Sequence, residues 1–267
     1  MWDKVLLKTG EGTGEALAPL ILSASRATDL PAFHLDWFLR RWDEGYLRRR
    51  NPFNGKEALL ALSQVRAVVF WSKNPRPLLE RLDEIERCGF AFYLHYTLND
   101  YEEEKLEPHL PPLEERLATF EALAERLGRE RVIWRFDPLI LVGSLRPETL
   151  LERVAALGER LHRHTERLVF SFADVDGYKK VKRRLARAGL TYRDFSDGEI
   201  ACLAREIASL CRSWTITAAT CAEDVCLKQY GIVANRCVDG DLLLKIAPGD
   251  EILRRFLTGG QPGLFGE

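Results

Sequence analysis

The sequence predicts an α/β fold on a parallel sheet, and we expect a six-unit (β/α) partial barrel that resembles a TIM barrel. Six short apolar runs each end in charged or amide residues and then give way to an amphipathic helical stretch. Strands that alternate with helices in this way are typical of parallel sheets. No glycine-rich loop follows a strand, although a dinucleotide-binding or P-loop sheet would require one. An open doubly wound parallel sheet is the alternative architecture.

The strands are predicted from the apolar runs, and the helices from the periodicity that follows each run. Proline or glycine marks many of the boundaries, as at Pro31 and Pro75 before helices and at Gly89 and Gly128 after them. We expect six strands, in order, over residues 18–25, 67–71, 90–97, 131–136, 168–172 and 214–218.

A single domain is predicted over residues 1–267. The glycines of TGEGTGE indicate a turn within a lead-in over residues 1–16, and residues 258–267 are expected to form a flexible or truncated tail. The polar segment 98–112 is long for a connection within a compact domain. Such length is typical of a functional loop or lid.

The composition is that of a globular protein with a sizeable core. Of 267 residues, 46% are hydrophobic, and 39 basic side chains balance 40 acidic ones to a net charge of −1. This balance argues against a surface that binds polyanions generally. No run approaches the roughly 20 apolar residues of a bilayer span, and the first residues lack a signal-peptide core. We therefore expect a cytoplasmic protein whose six cysteines are reduced.

Charged and amide side chains gather where the predicted strands end. In parallel sheets the carboxyl ends of the strands line the binding face. Arginine can hold a carboxylate or phosphate with two hydrogen bonds, and carboxylates can transfer protons or orient bases. For substrate binding we expect Arg26, Asn74, Arg135 and Asp174, and for catalysis Asp29, Lys73, Asp137 and Glu223.

Several of these residues also have a purely structural interpretation. Asp29 could cap the helix that begins near Pro31, and Asn74 could serve a turn. Arg135 and Asp137 lie on one side of a strand because side chains alternate, so a structural salt bridge is an alternative to a binding role. A lone histidine in an apolar strand, such as His95, is more often a core residue than a ligand or proton carrier.

Three cysteines cluster late in the chain, at Cys221, Cys226 and Cys237, with spacings C-x4-C and C-x10-C. These spacings differ from the C-x2-C pairs of zinc ribbons and from the C-x3-C-x2-C motif of radical S-adenosylmethionine enzymes. Three thiols in a loop-rich region could hold a metal or an iron–sulfur cluster. Buried free cysteines are the alternative interpretation.

The combined motifs resemble a prokaryotic family known as domain of unknown function 1848. The segments that carry the resemblance are SASRATDLPAF, RNPFN, FWSKNP, RVIWRFDP, SFAD and CAED…YGI…CVDG, between about residues 22 and 243. The resemblance adds Asn51 to the expected substrate-binding residues. It also implies a relation to radical S-adenosylmethionine enzymes, because longer members look as if they continue into a cysteine-rich tail that ligates an iron–sulfur cluster. We expect that this chain is either truncated before such a tail or lacks the cluster.

Three functional hypotheses follow. The first is a barrel enzyme whose arginine, lysine and aspartate side chains bind a small anionic or phosphorylated substrate, with an iron–sulfur cluster or S-adenosylmethionine as the implied cofactor. The second is a metal-dependent hydrolase or lyase. The third is a non-catalytic module for nucleic acid or protein, in which the basic segment GYKKVKRRLARAG contacts phosphates rather than forming an ordinary solvated helix face.

Overall fold

A computed structural model describes residues 3–10, 12–25, 28–50, 55–177, 179–221 and 227–259. The chain divides into two compact units. We call residues 1–94 with 238–267 the first unit, and residues 95–237 the second unit.

Thirteen strands are present in the described segments. In chain order they are β1 Asp3–Thr9, β2 Gly12–Ala18, β3 Ile21–Ser23, β4 Tyr46–Arg50, β5 Glu57–Ala61, β6 Ala67–Ser72, β7 Ala91–Thr97, β8 Val132–Leu139, β9 Leu141–Val142, β10 Arg167–Phe172, β11 Tyr192–Arg193, β12 Thr217–Thr220 and β13 Val233–Ala234.

Ten α-helices accompany them, together with a short 3₁₀ helix at Lys228–Tyr230. The α-helices of the described segments are α1 Leu30–Phe33, α2 Leu35–Glu44, α3 Arg76–Glu80, α4 Leu82–Arg87, α5 Leu113–Leu127, α6 Pro147–Leu161, α7 Lys179–Arg187, α8 Asp197–Ser213, α9 Gly240–Ile246 and α10 Glu251–Thr258. None of these helices is long and apolar enough to cross a bilayer.

The α/β class predicted from the sequence is confirmed. Seven strands form a parallel sheet in the order β13-β12-β10-β8-β7-β6-β3. Apolar side chains bury its strands on both faces, since four consecutive residues of β6 are fully buried. A four-stranded sheet, β1-β2-β5-β4, and a small ribbon, β11-β9, complete the strand pairing.

The first unit differs from the sequence prediction at its start. The lead-in expected over residues 1–16 contains a glycine turn, but that turn joins β1 to β2 in an antiparallel hairpin. The alternation in DKVLLKT is short and its apolar face only half buried, which is why composition did not reveal a strand. The first parallel strand is accordingly shorter than expected, Ile21–Ser23 instead of residues 18–25.

In the second unit, two strand boundaries also differ from the prediction. The sixth predicted strand, 214–218, begins only at Thr217, because α8 continues to Ser213 and Trp214 caps it. The Trp214 ring lies against Gly158 of α6, where even a Cβ atom would clash. The fourth predicted strand continues three residues beyond Phe136, to Leu139. Asp137 is therefore inside a strand rather than after it.

The long polar segment 98–112 is held against the helices of the second unit. The buried Arg116 donates to the carbonyl oxygens of Asn99 and Pro111, at 2.7 and 2.9 Å. From α6, Arg153 donates to the carbonyl oxygen of Asp100 and to the carboxylate of Glu104, both at 2.7 Å. These contacts anchor the loop to the helices. Its role as a functional loop or lid stays a prediction.

Candidate functional site

Arg135 and Asp137, two residues apart on β8, contact one another. The Arg135 Nε donates to Asp137 Oδ2 at 3.1 Å, and its Nη2 donates to the same oxygen. Only 6% of the Arg135 side chain is exposed, so this ion pair lies largely out of water. Burial lowers the pKa of Arg135, but the neighbouring carboxylate more than offsets that effect, and the guanidinium remains charged.

Two further side chains hold Asp137 in place. Asn99 accepts from the Asp137 backbone N–H at 2.9 Å and donates to its carbonyl oxygen at 3.3 Å. Ser171, on the neighbouring strand β10, donates its hydroxyl proton to Asp137 Oδ1. Because both carboxylate oxygens and the backbone are engaged, the orientation of the Asp137 side chain is fixed.

Buried polar atoms of Arg135 and Asn235, both in the second unit, are left without hydrogen bonds in the described part of the chain. They are Nη1 of Arg135 and both polar atoms of the Asn235 side-chain amide. Asn235 follows β13, and its backbone N–H donates to the carbonyl oxygen of Thr220 at 2.7 Å. Buried polar atoms without partners are costly, so each such atom in a native structure requires an explanation, such as a bound water, an ion or a functional role.

Cys221 and Cys237 approach one another beyond the ends of β12 and β13. Their sulfur atoms are 3.6 Å apart, with Cys221 half-buried and Cys237 exposed. The hydrogen bond from Cys237 and the nearby Arg135 guanidinium lower the pKa of the Cys221 thiol to about 6, although burial opposes this shift. Cys221 is therefore largely a thiolate at neutral pH.

His95 of β7 is fully buried in the second unit, with Nε2 lying 3.2 Å from the carbonyl oxygen of Cys237. Since a carbonyl oxygen only accepts, this contact assigns the imidazole proton to Nε2. Burial and the positive charge of Arg135 hold the pKa of His95 well below its ordinary value, so the ring is neutral. The structure thus places His95 in the core, in contact with the backbone of Cys237.

In the first unit, the structure brings Asp29 together with Lys73. Asp29 Oδ1 accepts from the Ala32 N–H at 3.0 Å and caps α1, while Oδ2 accepts from the Lys73 backbone N–H at 2.7 Å. Asn74 donates its backbone N–H to the hydroxyl of Ser72 at 3.0 Å. Asp29 thus has the helix-capping role that the sequence offered as an alternative. Its two carboxylate oxygens also connect the loop after β3 to the loop after β6.

The remaining predicted site residues are either separate or outside the described segments. Asp174 is exposed and accepts from the Gly177 N–H at 2.8 Å, which closes a local turn. Four predicted residues lie outside the described segments: Arg26, Asn51, Glu223 and Cys226. The tail predicted over residues 258–267 also lies almost wholly outside them.

The described residues do not fit an iron–sulfur cluster. Two thiolates that bind one zinc or iron ion at about 2.3 Å would lie about 3.8 Å apart, close to the observed separation of Cys221 and Cys237. A cluster, however, requires three or four protein ligands. Among the described residues, no group of three histidine, cysteine, aspartate or glutamate side chains converges.

Sequence reasoning missed Ser171, Asn235 and the clamping role of Asn99. Ser171 could have been found, because it is a polar residue that interrupts the apolar strand LVFSF. Asn235 carried no such signal, since it follows a two-residue strand that the pattern did not reveal.

Comparisons with known proteins give the family and little more. A family profile described as "Domain of unknown function (DUF1848)" matches residues 21–257. A search of curated proteins returned no match. Among solved structures, the chain is similar to a deoxyribose phosphate aldolase from Aeropyrum pernix, described as a unique tetrameric structure. The identity is 14% and the TM-score 0.30, over 91% of this chain and 90% of that chain.

Proposed function

We propose that this chain, which belongs to the family described as Domain of unknown function (DUF1848), is an enzyme that binds a small anionic substrate. The binding site would lie in the second unit, at the carboxyl ends of β8, β10 and β12. A six-unit barrel-like arrangement of the strands is part of the same proposal. The observation that carries it is the buried Nη1 of Arg135, which has no hydrogen-bond partner in the described residues.

The orientation of Arg135 supports this role. Asp137 engages Nε and Nη2, and the Cys221 sulfur also interacts with the guanidinium, so Arg135 is held in one position. Nη1 still makes no hydrogen bond within the described residues. A donor that is fixed in advance and shielded from water binds an anion more strongly than a mobile surface arginine does. The unpartnered side-chain NH2 group of Asn235 offers a further donor to the same ligand class.

The charge of the site determines when an anion binds. Arg135 contributes one positive charge and Asp137 one negative charge, so the Cys221 thiolate makes the described site electronegative above pH 6. Protonation of the thiol removes that negative charge. An anion should therefore bind more tightly below pH 6, and bound anion should in turn raise the pKa of Cys221.

Calorimetric titration with sulfate tests the proposal, because sulfate does not itself titrate in this range. We expect one sulfate per chain, bound on the order of tenfold more tightly at pH 5 than at pH 8, with the change centred near pH 6. Replacement Cys221→Ser should abolish the pH dependence and leave the tighter affinity at both pH values.

Arg135→Lys and Arg183→Gln are the matched variants. Arg135→Lys keeps a charge for Asp137 but loses the Nη1 donor, so sulfate binding should fall by at least tenfold. Arg183 is exposed on α7, and its replacement should leave the affinity unchanged. Urea unfolding checks that each variant is folded. Equal affinity in Arg135→Lys, or loss of binding in Arg183→Gln, would contradict the proposal.

A further inference from the structure

We propose that Cys221 and Cys237 are a redox-active dithiol pair that a low-molecular-weight disulfide converts to an intrachain disulfide. The two sulfur atoms are 3.6 Å apart, in van der Waals contact, and neither cysteine carries a disulfide. A disulfide holds its sulfur atoms at about 2.05 Å, so the observed separation must shorten by only about 1.5 Å. This inference does not depend on what the site binds.

The strands hold the two cysteines in this position. β12 and β13 are parallel neighbours in which Thr220 pairs with Ala234, and the Asn235 N–H continues the pairing to Thr220. Cys221 directly follows β12, and Cys237 follows two residues after Asn235. Backbone hydrogen bonds between two adjacent strands therefore hold the two cysteines close together in the reduced protein.

The surroundings distinguish Cys221 from the other cysteines of the described segments. Burial raises the pKa of Cys211 to about 12, and burial also raises the pKa of Cys88. Cys221, by contrast, has its thiolate stabilised by the Cys237 hydrogen bond and the Arg135 charge. Because the thiolate is the nucleophile in disulfide exchange, Cys221 is the residue that attacks first.

The reaction consists of two exchanges. In the first, the Cys221 thiolate attacks one sulfur of the small disulfide, a mixed disulfide forms, and one small thiolate leaves. In the second, the exposed Cys237 sulfur loses its proton and attacks Cys221 Sγ, and the second small thiolate leaves. The protein loses two electrons and two protons, and the small disulfide gains them as two thiols.

The disulfide would also alter the anion site, a consequence that rests on the proposed function. Oxidation removes the negative charge of Cys221 beside Arg135, as protonation does. We expect oxidised protein at pH 8 to bind sulfate on the order of tenfold more tightly than reduced protein. The cysteine pair would then make substrate binding dependent on the thiol redox state.

The test is incubation of the full chain with oxidised glutathione, followed by alkylation and peptide mass spectrometry. Wild type and the exposed-cysteine control Cys202→Ser should both give a peptide that links Cys221 to Cys237, and dithiothreitol should remove the link. Cys237→Ser should stop at glutathione bound to Cys221. Cys221→Ser should leave Cys237 at least tenfold less reactive than Cys221 is in wild type.

Three results would overturn the inference. They are a link from either residue to Cys226 instead, glutathione adducts that never resolve into an intrachain link, and purified protein in which a stoichiometric metal ion protects both thiols from alkylation. The sulfate titration separates the two proposals. A Cys221–Cys237 link in a protein that binds no sulfate in either redox state would uphold the redox pair and contradict the anion site. A link with sulfate affinity unchanged would uphold the redox pair and contradict its coupling to the site.

Discussion

At the scale of single residues, Asp137 organises the candidate site. It engages Arg135 through one carboxylate oxygen and Ser171 through the other, and Asn99 holds its backbone from both sides. A carboxylate used in this way is already occupied, so we expect its role to be the positioning of Arg135. The pairing itself follows from the sequence, because residues two apart on a strand share a face.

Replacement Asp137→Asn should destabilise the protein by about 3 kcal/mol, because it leaves the buried Arg135 charge without its counter-ion. Ser171→Ala removes one hydrogen bond to the same carboxylate and should cost about 1 kcal/mol. Urea unfolding measures both values. Equal losses in the two variants would show that the ion pair does not stabilise the fold more than an ordinary hydrogen bond.

The partners of Asp137 were less accessible to sequence reasoning than the ion pair. Asn99 and Ser171 come from other strands and meet Asp137 only because the sheet places them there. The same holds for Cys221 and Cys237. Their spacing of 16 residues indicated a thiol cluster, but only the parallel pairing of β12 with β13 accounts for two sulfurs in contact.

At the scale of elements, the loop over residues 98–112 shows how an irregular segment is fixed by arginines. Arg153 extends from α6 to Asp100 and Glu104, and only 11% of its side chain is exposed. The sequence predicted the loop and its polarity. It did not indicate the anchor, because Arg153 occupies an ordinary position in an amphipathic helix and lies about 50 residues away.

Arg153→Ala should make this loop more susceptible to proteolysis, because the loop would lose its hydrogen bonds to α6. We expect cleavage within residues 101–111 at least tenfold faster than in wild type, with a loss of global stability of about 1–2 kcal/mol. Mass spectrometry of the fragments locates the cleavage. Arg160→Ala is the matched control, since this exposed arginine of the same helix pairs with Glu114 and Glu121 on α5 instead.

Unchanged cleavage in Arg153→Ala would contradict the anchoring role. Equal acceleration in Arg160→Ala would indicate a general loosening of α6. Exposed ion pairs such as those of Arg160 contribute at most about 1 kcal/mol each, so the control should remain near wild type.

At the scale of the whole molecule, the alternation of strands and helices was sufficient to predict the class of fold. Three predicted strands, at residues 67–71, 90–97 and 168–172, agree with the structure to within one residue. The four-stranded sheet was not predicted, because its strands are half exposed, β2 is rich in glycine and alanine, and β4 is rich in arginine. Buried parallel strands are conspicuous as continuous apolar runs, whereas these half-exposed strands lack such runs.

The stability of the whole molecule should depend on His95 in acid. The pKa of this buried imidazole is held well below 6.5, mainly by burial, so the unfolded chain binds a proton that the folded chain does not. As the pH falls below about 6.5, this residue therefore lowers the free energy of unfolding by up to ~1.4 kcal/mol per pH unit. The loss continues until the pH reaches the folded-state pKa.

Urea unfolding between pH 7 and pH 4.5 measures this dependence. His95→Gln should unfold with a shallower pH dependence than wild type, even if it is less stable at pH 7. Exposed His109→Gln should show the wild-type slope. An unchanged slope in His95→Gln would mean that the imidazole does not stay neutral in the folded protein.

We expect Arg135 to present Nη1 to an anionic ligand. Diffraction from crystals grown at about pH 5.5 with selenate tests it most directly, because selenium gives an anomalous signal that locates the ion. We predict a selenate oxygen within ~3 Å of Arg135 Nη1, at normal hydrogen-bond distance. Selenate only on surface lysines and arginines, with a protein group bound to Nη1, would contradict the claim.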